Sequence, residues 1–210
     1  MKAAENAIWA LVAFLSIGVG GYAVFLAATN FQFLPPPIAA NAFPSDLGLQ
    51  THIVASAIAL ILGPFQFLKP LREKAPVLHR WIGRIYVAAC LAGGASGVAI
   101  ALYSSSGLVA GLGFLLLELL WLGFTFLARV SAMRRNFIVH ERWMIRSFAL
   151  TFAAVTLRIY LPIGLATVGF DNSYTLIAWA CWLPNLIVAE LFIATLRKPE
   201  RRSVTANVAA

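Results

Sequence analysis

Six long apolar runs constrain this sequence more than any other feature. The runs cover residues 8–29, 52–68, 81–102, 107–130, 144–169 and 174–197. A helix of about 20 apolar residues crosses a hydrocarbon core about 30 Å thick. Charged residues make up only 11% of the chain, whereas soluble domains carry about 25%. The sequence therefore predicts an all-α membrane protein, with six transmembrane helices in one polytopic domain over residues 1–210.

Lysine and arginine are confined to alternate connections between these runs. The basic segments are 69–80, 129–143 and the tail from Arg197 to Arg202, while 30–51, 103–106 and 170–173 contain no lysine or arginine. Because basic connections stay in the cytoplasm, both termini are predicted to be cytoplasmic, in a bacterial inner membrane. The basic pI near 10.1 is therefore accounted for by the orientation of the chain in the membrane. Basic residues placed in this way argue against a nucleic-acid partner.

No motif of a soluble enzyme occurs in the sequence. Walker, GxGxxG, GxSxG and HExxH patterns are all missing. Cys90 and Cys181 fall inside apolar runs without metal-ligand spacing, so we expect them to be core residues.

Two segments of the chain repeat a common pattern. "LGPFQFL" at 62–68 precedes "HRWIGR" at 79–84, and "LGFTFL" at 122–127 precedes "HERWMIR" at 140–146. Each unit places a basic connection between its two parts. Helices 2–3 and 4–5 are therefore predicted to form a parallel repeat that builds a four-helix core.

These segments also carry a family resemblance. "THIVASAIALILGPFQF", "LHRWIGRIYV" and "HERWMIRSFALTFAAVTLRIYLP" resemble an uncharacterised family of bacterial predicted membrane proteins, known only as a domain of unknown function. The resemblance covers roughly residues 50–165. It implies a polytopic membrane protein and no established activity. The architecture is more loosely similar to small b-type membrane cytochromes, whose four-helix cores hold haem between histidines.

Two charged residues lie deep in the predicted membrane. Glu118 and Arg158 each lie about 16 Å from the outer end of their helices at 1.5 Å per residue. Because an isolated charge is costly at that depth, we predict a buried Glu118–Arg158 ion pair, either structural or part of a proton or anion site. Glu190 is expected to pair with Arg84 or Arg146 near the cytoplasmic face.

The histidines of the two repeats suggest a metal site. His79 and His140 are predicted to lie at the same face of the membrane. His79 is 18 residues, or about five helical turns, from Gly97, and His140 is as far from Arg158, so each histidine shares a helix face with a residue expected to face the bundle interior. They are predicted to ligate one haem b iron, with nearby arginines pairing the propionates: Arg80, Arg84, Arg142 and Arg146. The alternative is that each histidine only caps its own helix or bonds a loop carbonyl. His52, at the opposite face, is too far away to join them.

Small-residue pairs are interpreted as helix-packing positions. Gly93/Gly97 and Gly107/Gly111 each have GxxxG spacing, which lets a neighbouring helix approach closely.

Three functions remain open from the sequence. The first is a haem b electron carrier between quinone and a membrane partner. The second is a transporter or channel that uses Glu118 and Arg158. The third is a non-catalytic accessory subunit of a larger membrane complex, suggested by short loops and glycine-rich helix faces such as "GVGG" at 18–21.

Overall fold

The chain is built from helices packed side by side. In this computed structural model, residues 2–33, 46–103 and 107–196 are described, and no strand occurs within these ranges. The basic tail after residue 196 and most of the 30–51 connection lie outside them. The described residues contain six helical spans that are long and apolar enough to cross a membrane, as predicted.

The described residues form nine α-helices and one 3₁₀ turn, and all but the third helix, which connects spans 2 and 3, contribute to the spans. The helices are α1 (Lys2–Ala28), α2 (Asp46–Leu62), α3 (Lys69–Lys74), α4 (Pro76–Leu102), α5 (Leu108–Met133), α6 (Phe137–Thr151), α7 (Ala153–Thr167), α8 (Phe170–Ala180) and α9 (Leu183–Thr195). The 3₁₀ turn is Pro64–Phe67 and continues α2. Helices α6 and α7 make span 5, and α8 and α9 make span 6.

Spans 3 and 5 begin earlier than their apolar runs predict. They start at Pro76 and Phe137, not at 81 and 144. Proline suits the first helical turn because the turn does not use its missing N–H. Asn136 caps α6, and its side chain accepts a hydrogen bond from the Val139 amide at 3.3 Å. The HRW and HERW segments therefore lie in the first turns of helices, not in loops.

Four helices enclose the interior. Helix α2 packs along α4, α4 along α5 and α5 along α6, and α6 also touches α2. Helix α1 covers α2 and α7, while α8 packs against α5 and α7, and α9 against α6. This is the four-helix core expected of spans 2–5, although their origin as a repeat stays a prediction.

The spans bury one side of their surface in the bundle and expose large apolar side chains on the other. Cys90 and Cys181 are fully buried, as predicted, whereas Phe14, Leu176 and Leu191 are exposed on the outside. An apolar exterior of this kind suits contact with lipid. We call the end of the bundle that carries α3 and the turn between α5 and α6 the basic end, because Arg72, Lys74 and other cations lie there.

Candidate functional site

Glu118 is a buried carboxyl group halfway along α5. Its side chain faces Gly97 of α4, where an added methyl group would lie 2.4 Å from the Glu118 carboxyl carbon. Glu118 is 7% exposed, and its Oε2 atom accepts no hydrogen bond from any described residue. Only glycine leaves room for the carboxylate, so the small face of α4 creates this site.

The predicted ion pair between Glu118 and Arg158 does not form. Among the ion pairs of the described residues, none joins these two side chains. The Arg158 guanidinium instead donates to the Ala154 carbonyl at 3.0 Å. It lines a cavity with residues of α1 and α2.

Helix packing accounts for this correction. The prediction rested on the equal depth of Glu118 and Arg158, and depth does not decide which neighbour a side chain faces. Span 5 is also interrupted at Phe152, where α6 ends at Thr151 and α7 begins at Ala153. Beyond the break, α8 packs against both α5 and α7. Since span 6 occupies the place beside Glu118, Arg158 is directed toward α1 and α2.

Span 6 is broken as well, and the two breaks are tied together. Helix α8 ends at Ala180 and α9 begins at Leu183, where Pro184 cannot donate a backbone hydrogen bond. The Asn185 amide donates to the carbonyls of Ala149 and Cys181 at 3.4 and 3.0 Å, so it bridges the two spans. The Thr156 hydroxyl also donates to the Cys181 carbonyl. Irregular backbone at membrane depth is thus satisfied by protein, as it must be.

A cluster of hydroxyl groups fills the interior on the basic side of Glu118. The Tyr86 hydroxyl lies 2.9 Å from that of Ser147 and 3.0 Å from that of Thr151. Thr125 contacts Ser147 at 2.7 Å, and the Trp121 indole donates to Thr151 at 2.9 Å. We call these five residues the hydroxyl cluster. It joins α4, α5 and α6, and every member is buried.

Sequence reasoning missed this cluster, although a signal was present. Trp121 and Thr125, and likewise Ser147 and Thr151, are separated by four residues, so each pair lies on one helix face. Tyr86 forms such a pair with the buried Cys90. Polar groups at this spacing on three apolar helices indicate a shared interior, but only the packing shows that they meet.

The two histidines of the repeated segments lie near each other at the basic end. His140 bonds the Ala128 carbonyl through Nδ1 at 2.8 Å. Ala128 lies within α5, so the bond joins two helices and is neither a cap of its own helix nor a bond to a loop carbonyl. His79 lies within electrostatic range of His140 and Arg72. Its Nδ1 is buried and has no hydrogen-bond partner among the described residues. An ion pair between Arg72 and Glu141, at 3.7 Å, brings the two segments together.

The four arginines predicted to serve a haem have different surroundings. Arg84 stacks over Trp81 at 4.7 Å, and Arg146 stacks over Trp143 at 4.6 Å, so the two RWxxR segments share a local geometry. Arg146 also forms a two-pronged ion pair with Glu190, at 2.5 and 2.7 Å, which confirms the pairing expected for Glu190.

The remaining two arginines, Arg80 and Arg142, make neither a ring contact nor an ion pair with a described residue. Arg80 is exposed and Arg142 is half-buried. No group of three or more His, Cys, Asp or Glu side chains in the described part of the chain is placed to hold a metal ion. A haem would therefore depend on the two histidines alone.

The glycine pairs behave differently from one another. Gly93 packs against Ser56 and Trp121, and Gly97 against Glu118, as the GxxxG spacing predicts. A methyl group added at Gly111 would lie 3.3 Å from the Ala101 carbonyl, but one added at Gly107 would meet no described atom within 4 Å, and the φ of Gly107 is +87°. Gly107 therefore serves the turn before α5, and its interpretation as a packing residue was wrong.

Comparisons with known proteins place the chain in a family but add no activity. The family described as "Predicted membrane protein (DUF2306)" matches residues 49–193, well over half of the chain. No curated protein and no solved structure gives a match.

Proposed function

The chain belongs to the DUF2306 family of predicted membrane proteins, and from that premise we propose that it is a proton-conducting transporter of the bacterial inner membrane. The observation that carries the proposal is Glu118, a buried carboxyl group at membrane depth, one oxygen of which has no hydrogen-bond partner among the described residues. Ionisable residues in such places are costly and mark proton or ion pathways. Because Arg158 does not pair with Glu118, the proposal rests on Glu118 alone and not on a midplane ion pair.

The surroundings of Glu118 support a route for protons. From the basic end, His140 bonds the Ala128 carbonyl, and Thr125 of the hydroxyl cluster lies about one turn further along α5. The cluster then leads to Trp121, about one turn from Glu118. Hydroxyl groups can both donate and accept a proton, so the four hydroxyls of the cluster can relay one through the middle of this route. The Trp121 indole only donates, and water molecules would complete the steps to His140 and to Glu118.

The paired helix breaks give the proposal a second support. Spans 5 and 6 are interrupted at Phe152 and at Cys181–Trp182, and Cys181 lies within electrostatic range of Glu118. Transporters typically build their sites from discontinuous helices near the bilayer midplane. A break also gives a span a point about which its two halves can move.

Proton flux into liposomes tests this function. The full chain is reconstituted with an internal pH dye, and a potassium gradient with valinomycin drives protons inward. We expect the wild-type flux to fall at least about tenfold, a barrier change of about 1.4 kcal/mol, in Glu118→Gln. The matched control is Glu141→Gln, which removes an exposed carboxylate. Equal flux in wild type and Glu118→Gln would refute the proposal, as would wild-type flux no higher than that of empty liposomes.

A haem b electron carrier acting between quinone and a membrane partner is the second candidate. The favouring observation is the His140 geometry, because a ligating histidine usually gives its other ring nitrogen to a carbonyl, as Nδ1 does to Ala128. His79 is nearby. The arginines fit less well, since Arg146 is committed to Glu190 and Arg84 to Trp81.

The visible spectrum separates the two candidates. A haem protein purified from haem-replete cells shows a b-type reduced-minus-oxidised difference, which His79→Ala and His140→Ala both abolish. A colourless, monodisperse wild-type protein rejects the haem and leaves the proton proposal untouched. The accessory-subunit hypothesis requires a partner, and it predicts that the chain co-purifies with other membrane proteins in fixed ratio.

A further inference from the structure

A second polar site lies between α1, α2 and α7, away from Glu118. A cavity of about 70 Å³ is bordered by His52 and Ser56 of α2, by Arg158 of α7 and by apolar residues of α1. It lies in the half of the bundle opposite the basic end, because Arg158 is about 14 Å from the end of α7 at Thr167. These residues lie within the matched family segment, but the family description gives them no role, and the proposed proton route does not use them.

The cavity holds a cation, Arg158, that has no counter-charge among the described side chains. Arg158 donates to the Ala154 carbonyl, and within the described ranges it forms no ion pair with a carboxylate. Arginine stays charged in proteins, and an uncompensated charge in a membrane costs several kcal/mol. The Ser56 hydroxyl is also buried, without a hydrogen-bond partner among the described residues.

His52 is held in an orientation that leaves one ring nitrogen available. Its Nδ1 lies 2.9 Å from the Gly93 carbonyl. A carbonyl can only accept, so Nδ1 must donate. In neutral His52 the Nε2 atom is then bare, and in protonated His52 it becomes a second donor. The other titratable or charged side chains acting on His52 and Arg158 are each other and Tyr22 of α1.

We propose that this cavity binds a small monovalent carboxylate anion on Arg158 and His52, with Ser56 as a further donor. The anion neutralises Arg158, and one proton enters with it to occupy Nε2 of His52. The cavity of about 70 Å³ has room for a few water molecules, since one needs about 10–15 Å³ on this measure. Formate, the smallest carboxylate, fits this space, and gluconate serves as a much larger comparison anion.

Titration of the purified full chain in neutral detergent tests the site with formate as the probe. Sodium formate replaces sodium gluconate at constant ionic strength, and thermal unfolding reports binding. We expect a saturable rise in melting temperature with formate. The apparent affinity should be higher near pH 6 than near pH 8, since one proton is taken up together with the anion.

Variants identify the residues responsible. Arg158→Gln should weaken formate binding at least about tenfold, a change of about 1.4 kcal/mol, while Arg129→Gln, at an exposed position, should not. If Arg158→Gln does not fold, His52→Asn takes its place, because asparagine keeps a donor near the Nδ1 position and lacks Nε2. His52→Asn should remove the pH dependence. No saturable effect in wild type, or unchanged binding in both Arg158→Gln and His52→Asn, would overturn the proposal.

Discussion

The hydroxyl oxygen of Tyr86 lies 2.9 Å from that of Ser147, and both side chains are fully buried. This contact joins span 3 to span 5 at the centre of the hydroxyl cluster. Buried polar groups are costly when they lose a partner, and such a cluster therefore specifies how the two helices meet.

Removing the Tyr86 hydroxyl should destabilise the bundle. Tyr86→Phe leaves Ser147 and Thr151 short of a partner, and we expect a loss of about 1 kcal/mol, within the range measured between membrane helices. Thermal or denaturant unfolding in detergent measures it. The control is Tyr160→Phe at a half-buried position, whose hydroxyl makes no hydrogen bond with a described residue. Equal effects would show that the hydrogen bonds contribute nothing specific.

A methyl group at Gly97 should clash with Glu118. Because the added carbon would lie 2.4 Å from the Glu118 carboxyl carbon, Gly97→Ala is expected to cost about 1–3 kcal/mol, as overpacked cores do. Shortening the acid in Gly97→Ala/Glu118→Ala should recover part of that loss. Gly123→Ala on α5 serves as the control. Its added methyl group would meet no described atom within 4 Å, so the substitution should be neutral or stabilising.

Glu118 and Arg158 should behave as independent sites. They form no ion pair with each other, and Arg158 lies in the α1–α2 cavity. The effects of Glu118→Gln and Arg158→Gln on unfolding free energy should therefore add to within about 0.5 kcal/mol. A double-mutant cycle measures this coupling, and a strongly favourable value would restore the ion pair.

The pair between Arg146 and Glu190 should depend on the shape of the guanidinium. Arg146 reaches both carboxylate oxygens, and lysine cannot reproduce that two-pronged geometry. We expect Arg146→Lys to lower stability by about 1 kcal/mol even though the charge is kept. Arg129→Lys at an exposed position is the comparison, and the two should differ in unfolding measurements.

The orientation of the chain is a prediction from loop charge alone. Reporter fusions after Ser105 and after Arg202 should report opposite sides of the membrane, with the second in the cytoplasm. If both fusions reported the same side of the membrane, the prediction of six spans with both termini in the cytoplasm would be wrong.

The sequence by itself determined the class, the number of spans and the core pairing of Gly93 and Gly97 with neighbouring helices. These properties depend on local apolar length and residue size, which the chain displays directly. The Arg146–Glu190 pair could also be anticipated, because both residues lie near one end of their spans, where depth narrows the choice of partner.

Only the tertiary structure decided which polar residues share a site. Helical rise placed Glu118 and Arg158 at the same depth, but α8 packs against both of their helices and the two side chains face different neighbours. Likewise, Tyr86, Thr125 and Ser147 come from three spans, and their meeting depends on how those spans rotate about their axes. Helical periodicity defines a face, whereas the neighbour of that face is settled by packing among all six spans.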